Sequence, residues 1–212
     1  MEIIDRKRVH GKSTCHVSWD KERNHVVAVS YWDCRLTTFS VDSQGGLSDA
    51  VEVYTDPGAE YVDKNMPDRW EHLAHRQRWP HLHQVNLDPY SRKFFLVPDL
   101  GRDMIHFFNI QDGHISRLGG QQLRLGPGPR HLEFGKQNQV VYVCGELDNS
   151  VTVLKYNKEA VERVVQGGYS DHVDNEDKSQ SLLTFVQTIS SVPDALDTKS
   201  TIAEMRLHPS GR

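Results

Sequence analysis

One pattern recurs along the chain and constrains its fold more than any single residue does. Its clearest copy runs from His81 to Ile110, HLHQVNLDPYSRKFFLVPDLGRDMIHFFNI. His83 to Asp88 alternates loosely, and Asp88-Pro89-Tyr90-Ser91 has turn chemistry, with proline fixing φ. Lys93 to Val97 is a nearly continuous apolar run, as suits a strand covered on both faces. Leu100-Gly101-Arg102-Asp103 turns the chain, and Met104 to Ile110 returns as a third strand. The same succession appears at His16 to Asp20, His25 to Val29 and Leu36 to Val41, and again at Arg130 to Gly135, Val140 to Cys144 and Val151 to Tyr156. A fourth copy, from Glu204 to Arg212, stops inside its first turn.

Asp20, Asp88, Gly135 and His208 hold the same place in the pattern, at intervals of 68, 47 and 73 residues. The shortest interval is close to the roughly 40–50 residues of a four-stranded propeller blade. Gly119 to Leu125 and Leu182 to Ile189 supply fourth strands. The expected architecture is therefore an all-β propeller of about three and a half blades. Their repeats lie near residues 15–55, 81–125, 130–190 and 203–212. Insertions fill residues 56–80 and 158–181, the second ending in a polar, acidic run (SDHVDNEDKSQS) that reads as a flexible surface loop. A sandwich of short strands is the competing architecture, and the internal period favours the propeller. Three and a half blades cannot close a ring, so further blades are expected beyond both ends, or at least beyond Arg212.

With 212 residues, 37% hydrophobic, 25% charged and a net charge of −4, the chain has the composition of a soluble globular protein. The slight acidity argues against nucleic-acid binding, which usually needs a basic face. No apolar run approaches 18 residues, so no membrane-spanning helix is expected. The opening MEIIDRKRVHGK lacks the apolar core of a secretory leader. Cys15, Cys34 and Cys144 are scattered, which suits neither a disulfide framework nor a zinc site, so free thiols and a cytoplasmic location are expected. A catalytic cysteine was the weaker alternative reading of these thiols.

Hairpin geometry gathers candidate site residues. A hairpin centred on Ser91 sets His83 beside Asp99, and one centred on Asn138 sets Arg130 beside Glu146. His83 and Arg130 each stand five residues before their blade's marker. Adjacent blades thus present His83, Asp99, Arg130 and Glu146 around one mouth of the channel, a concave cluster of ionisable groups. A structural ion pair between Arg130 and Glu146 is the competing reading. His81-Leu82-His83 has the i, i+2 spacing of two metal ligands on one strand face, but no third ligand stands out, so no metal and no cofactor are expected. Gly126-Pro127-Gly128-Pro129 lacks the Gly-Lys-Ser/Thr of a phosphate loop and reads as the approach to a blade.

At these residues the sequence resembles the lactonase family of seven-bladed β-propellers, which includes propeller-type 6-phosphogluconolactonase and the fungal carboxy-cis,cis-muconate lactonizing enzyme. The matching segments are Cys15-His16-Val17-Ser18, Arg76-Gln77, Pro80-His81-Leu82-His83, Asp88-Pro89 and Val97-Pro98-Asp99-Leu100-Gly101. They continue with Gly128-Pro129-Arg130-His131-Leu132, Tyr142-Val143, Glu146-Leu147, Ala203-Glu204-Met205-Arg206 and His208-Pro209-Ser210-Gly211-Arg212. Two departures are Ser30-Tyr31-Trp32, where the family usually shows Asn-Tyr-Gly, and Cys144-Gly145, where Val-Asn is usual. The resemblance implies a seven-bladed ring with His83, Arg130, Glu146 and Arg206 as catalytic residues. Simple alternation from Ala203 points Arg206 to the other strand face, so a bulge would be needed to bring it in.

The implied chemistry is hydrolysis of a small anionic lactone. His83 or Glu146 would take a proton from water, and Arg130 would hold the oxyanion or an anionic group. Arg206, with His81 or Arg76, would bind a substrate phosphate or carboxylate, with Asp99 nearby. The same residues would serve a carboxymuconate cycloisomerase. A propeller that only binds its ligand is the reading from a different class. The partners expected are this small-molecule substrate and the propeller's own missing blades.

Overall fold

The computed structural model describes residues 3–56, 76–135, 137–167, 181–193 and 200–210. Among the described residues, twelve strands form three four-stranded antiparallel sheets, each a simple meander. The first holds β1 (Thr14–Asp20), β2 (His25–Ser30), β3 (Arg35–Ser40) and β4 (Glu52–Thr55). The second holds β5 (Asn86–Leu87), β6 (Phe95–Asp99), β7 (Met104–Gln111) and β8 (His114–Gln122). The third holds β9 (Pro129–Gly135), β10 (Val140–Gly145), β11 (Ser150–Tyr156) and β12 (Leu183–Ser190). The blades stand side by side in chain order, with β1 and β4 against β5 and β8, and β6 against β9.

Alternation along β6 shows why the middle blade reads as continuous apolar sequence. Phe95 and Val97 enter a core shared with Val27, Val29 and Leu36 of the first blade. Phe94 and Leu96 point the other way, into a core shared with Leu132, Phe134 and Val141 of the third. A sheet sandwiched between two others buries both faces, so period-two alternation no longer separates apolar from polar residues.

The repeat also shows in backbone conformation. Asn24, Arg92 and Gln139, each four residues after Asp20, Asp88 and Gly135, all adopt the left-handed region (φ 55°, 56° and 50°). Asp20 accepts the backbone N–H of Glu22 and Asp88 that of Tyr90, so each carboxylate closes its own hairpin turn. His208 makes the matching bond, its Nδ1 accepting the Ser210 N–H at 3.2 Å.

Two expectations need correction. The fourth copy forms its turn but no sheet, because residues 200–210 contain no strand. A first strand gains ladder hydrogen bonds only from a second strand alongside it, and no described strand lies there. The second insertion is not a loop throughout, since α1 (Lys158–Gly167) begins it. Asn157 caps this helix through Ala160 N–H, and Ala160, Val161 and Val164 close the core between the second and third blades. Residues 168–180, and residues 57–75 of the first insertion, lie outside the described residues.

One face of the first blade and one of the third are open and apolar. Val17, Trp19 and Val53 are exposed on the first, and Val186 and Ile189 on the third.

Candidate active site

The one-residue bulge in β9 places the central arginine. Cys144 pairs with His131 but Gly145 pairs with Pro129, so Arg130 is the extra residue. A bulge re-aims its side chain, and Arg130 Nε lies 2.8 Å from Glu146 Oε2. Arg76 Nη2 donates to the other carboxylate oxygen, Oε1. His83 Nε2 stands 3.9 Å from Glu146 Oε2. Glu146 is therefore held between two guanidiniums, with an imidazole alongside.

The cluster lines an open cavity of about 560 Å³, whose wall also includes Ser13, Thr14, Cys15, Tyr31 and Trp32. Its residues come from equivalent places in successive blades. Cys15, His83 and Arg130 stand five residues before the blade markers, and Tyr31, Asp99 and Glu146 eleven after. Five of these six reach the cavity. Tyr31 and Cys15 were not singled out as site residues in the sequence, although this shared offset would have found them.

Asp99 is the sixth, and the structure places it elsewhere. The β5–β6 pairing starts about Ser91 as expected, with Asn86 opposite Leu96. It then slips by one, so Leu82 faces Asp99 and His83 N–H donates to Pro98 O. The other two blades make the same step, at Thr14/His16 and at Cys144/Gly145, so the step itself does not displace Asp99. The second blade has one more residue in its hairpin, and Leu100, whose N–H donates to His81 O as Tyr31 donates to Ser13 O and Glu146 to Gly128 O, takes the place of Tyr31 and Glu146. Asp99 is fully buried, accepting from His81, Gly101 and Arg102 N–H and meeting His106 Nε2 at 3.1 Å. It ties the second blade together and does not line the cavity.

His81 is also buried, stacked on Tyr31 with ring centroids 4.2 Å apart, so it supports the cavity wall from behind. Arg206 is not with the other three. It pairs with Glu133 (2.9 Å) and Glu204 (3.1 Å) in a half-exposed group beside His131. Residues 200–210 form no strand, so strand alternation does not apply to Arg206 here. His131 itself lies edge-on to His83, with centroids 5.3 Å apart, so the two groups are neighbours along the channel.

Burial sets the protonation states. It pushes His83 down to about 3, with the Arg130 and Arg76 charges and His131 adding to the effect, so this imidazole is neutral across the ordinary pH range. Cys15 is exposed at the cavity rim, and partial burial of its thiol pushes it up to about 11, which keeps it protonated at neutral pH. Its S–H donates to His83 O at 3.2 Å. Among the described residues no cluster of three His, Cys, Asp or Glu has the geometry to hold a metal ion.

Three four-stranded blades side by side, with one cavity that collects residues from all three, define part of a β-propeller. The sequence profile of the family described as "Lactonase, 7-bladed beta-propeller" matches residues 1–169, and the chain belongs to that family. It is 28% identical over 183 residues to the 6-phosphogluconolactonase of Bacillus subtilis (strain 168), covering 84% of this chain and 49% of the relative. Identity to the 6-phosphogluconolactonase of Photorhabdus laumondii is also 28%, over 157 residues, covering 73% of this chain and 40% of the other. Among solved structures, the periplasmic gluconolactonase of Pseudomonas aeruginosa superposes with a TM-score of 0.71 at 20% identity, covering 99% of this chain and 51% of that one. A Lactobacillus plantarum protein superposes at 0.70 with 21% identity, covering 93% and 48%. The chain thus spans about half the length of these proteins.

Proposed function

We propose that the protein hydrolyses an anionic sugar lactone of the 6-phosphogluconolactone type. The observation that carries this reading is Glu146 bound by Arg130 and Arg76 with His83 alongside, in an open cavity. A lone structural ion pair needs neither the second arginine nor the neutral imidazole. The relatives named 6-phosphogluconolactonase favour hydrolysis over cycloisomerisation.

In this mechanism the substrate's anionic group meets Arg76, and Arg130 faces the lactone carbonyl. Water adds to the carbonyl carbon as His83 or Glu146 takes its proton, and the oxyanion forms against the Arg130 guanidinium. Collapse breaks the ring C–O bond, the same group returns the proton to the leaving alkoxide, and an open-chain hydroxy acid results. The arginine charges help hold His83 below its normal basicity. An anion bound to those arginines offsets their field, so His83 becomes a better base when substrate is present. Cys15, Cys34 and Cys144 are free thiols, which supports a cytoplasmic location.

The test is turnover by the full-length protein of 6-phosphogluconolactone and of carboxymuconate, with and without chelator. Hydrolysis of the lactone unaffected by chelator is expected. Turnover of carboxymuconate alone would replace the hydrolase reading, and turnover of neither would favour a binding propeller.

A further inference from the structure

Trp32 stands out at the rim of the cavity. It follows Tyr31 at the position that holds Leu147 in the third blade, twelve residues after the marker in each. Leu147 is half-buried, whereas Trp32 is 57% exposed and lines the cavity with Arg76, His83, Arg130 and Glu146. The blade equivalence that builds the charged cluster thus puts a large apolar surface beside it.

The indole is also held in place. Tyr31 and His81 are parallel, 6° apart in plane and 4.2 Å between centroids. Trp32 lies 4.9 Å from one and 5.1 Å from the other, at 89° and 87° to them. Near-equal distances from two stacked rings set the indole beside the stack, against the edges of both. An aromatic ring in such a T-shaped contact uses one face and leaves the other free. Trp32 N–H of the backbone further bonds to Lys12 O at 3.3 Å.

From this arrangement we infer that Trp32 is a specificity-determining residue, whose free face receives the C–H face of a cyclic substrate while the arginines hold its anionic group. The inference rests on the lactone reading and deepens it: the preferred ligand is a ring carrying a negative charge, over an anion without a ring. An indole face adds affinity only for a ligand with a flat apolar surface to lay on it. Trp32 acts by positioning and moves no proton.

The experiment is calorimetric titration of the full-length protein with two probes, a six-membered lactam bearing a phosphate and inorganic phosphate. The lactam keeps the ring and resists hydrolysis. Trp32→Ala is expected to weaken the lactam about tenfold and leave phosphate unchanged. Trp32→Phe, which keeps an aromatic face, is expected to recover most of the loss. In turnover, the effect of Trp32→Ala is expected in KM with kcat little changed. A folded Trp32→Ala protein that binds the lactam as tightly as the wild type would overturn the inference alone. So would an equal loss for both probes, because the residue would then be supporting the arginines. If the wild type binds neither probe and turns over no lactone, the lactone reading falls and takes this inference with it.

Discussion

Arg130 reaches Glu146 because it is the bulged residue of its strand: its Nε lies 2.8 Å from Glu146 Oε2, opposite the Cys144–Gly145 step where the register shifts. The first blade has the same irregularity at Cys15, between Thr14 opposite Ser30 and His16 opposite Val29. In the third blade the bulged residue is an arginine, and its guanidinium meets a carboxylate that Arg76 also holds. Two positive groups on one negative group leave the cavity with a net positive lining, suited to an anionic ligand.

Removing the carboxylate charge separates binding from chemistry. Glu146→Gln frees both guanidiniums and removes a repulsion to any bound anion. Phosphate affinity, measured by calorimetry, is expected to rise by about tenfold, an estimate from the Coulomb energy of one nearby charge at intermediate dielectric. If Glu146 moves the proton, kcat falls by about 10² or more in the same variant. Weaker phosphate binding would show that Glu146 holds the arginines in place and does nothing else.

The low basicity of His83 makes a stability prediction. Its pKa is about 3 in the folded protein against an ordinary value of 6.5. Above pH 6.5 the imidazole is neutral in both states and costs nothing. As pH falls from 6.5 towards 3, the unfolded chain binds the proton and the folded one does not, so stability falls by up to about 1.4 kcal/mol per pH unit. His83→Gln is expected to flatten the decline in melting temperature between pH 6.5 and 4.5. Asp103, raised to about 6 by burial, contributes the opposite slope over part of that window, so the difference between variant and wild type is the quantity to read. Parallel curves would place His83 in water.

Gly101 holds the second blade's turn against the segment leading to His81. A Cβ there would sit 1.8 Å from Trp79 O and 2.9 Å from Pro80 Cα, both backbone atoms that cannot swing aside. Gly101→Ala is expected to destabilise by about 1–3 kcal/mol through forced backbone movement. A chemical-denaturation midpoint equal to that of the wild type would contradict the close approach.

The open apolar faces predict association. Trp19 is 56% exposed on the first blade and Ile189 52% on the third. Residues 1–212 produced alone are expected to bind a hydrophobic dye and to self-associate, and Trp19→Lys with Ile189→Lys to reduce both. A monodisperse, dye-silent preparation of the unsubstituted chain would show the faces to be covered.

Much of this was legible in the sequence, for local reasons. Turn residues put the hairpin centres within a residue, so His83, Arg130 and Glu146 could be gathered at one end before any coordinates, although β9 and β10 pair with Val140 opposite Gly135 and not about Asn138. Asp99 went astray because the second blade's hairpin is one residue longer, which puts Leu100 where the other blades hold Tyr31 and Glu146. Arg206 is implied by resemblance alone, and its segment forms no strand whose parity could place it. The ten-residue helix α1 was hidden by its valines, which favour strands locally, although Asn157 and the Ala160, Val161, Val164 spacing signalled it. Trp32 read only as a break between strands, because exposure depends on how neighbouring blades close around it.

The most direct measurement is turnover of 6-phosphogluconolactone by full-length Arg130→Ala, with thermal melting of the same preparation. A catalytic Arg130 lowers kcat by about 10²–10³, the scale of losing an oxyanion donor, with the melting temperature nearly kept. A large drop in melting temperature with turnover per folded molecule intact would make Arg130 and Glu146 a structural pair and contradict the lactone site.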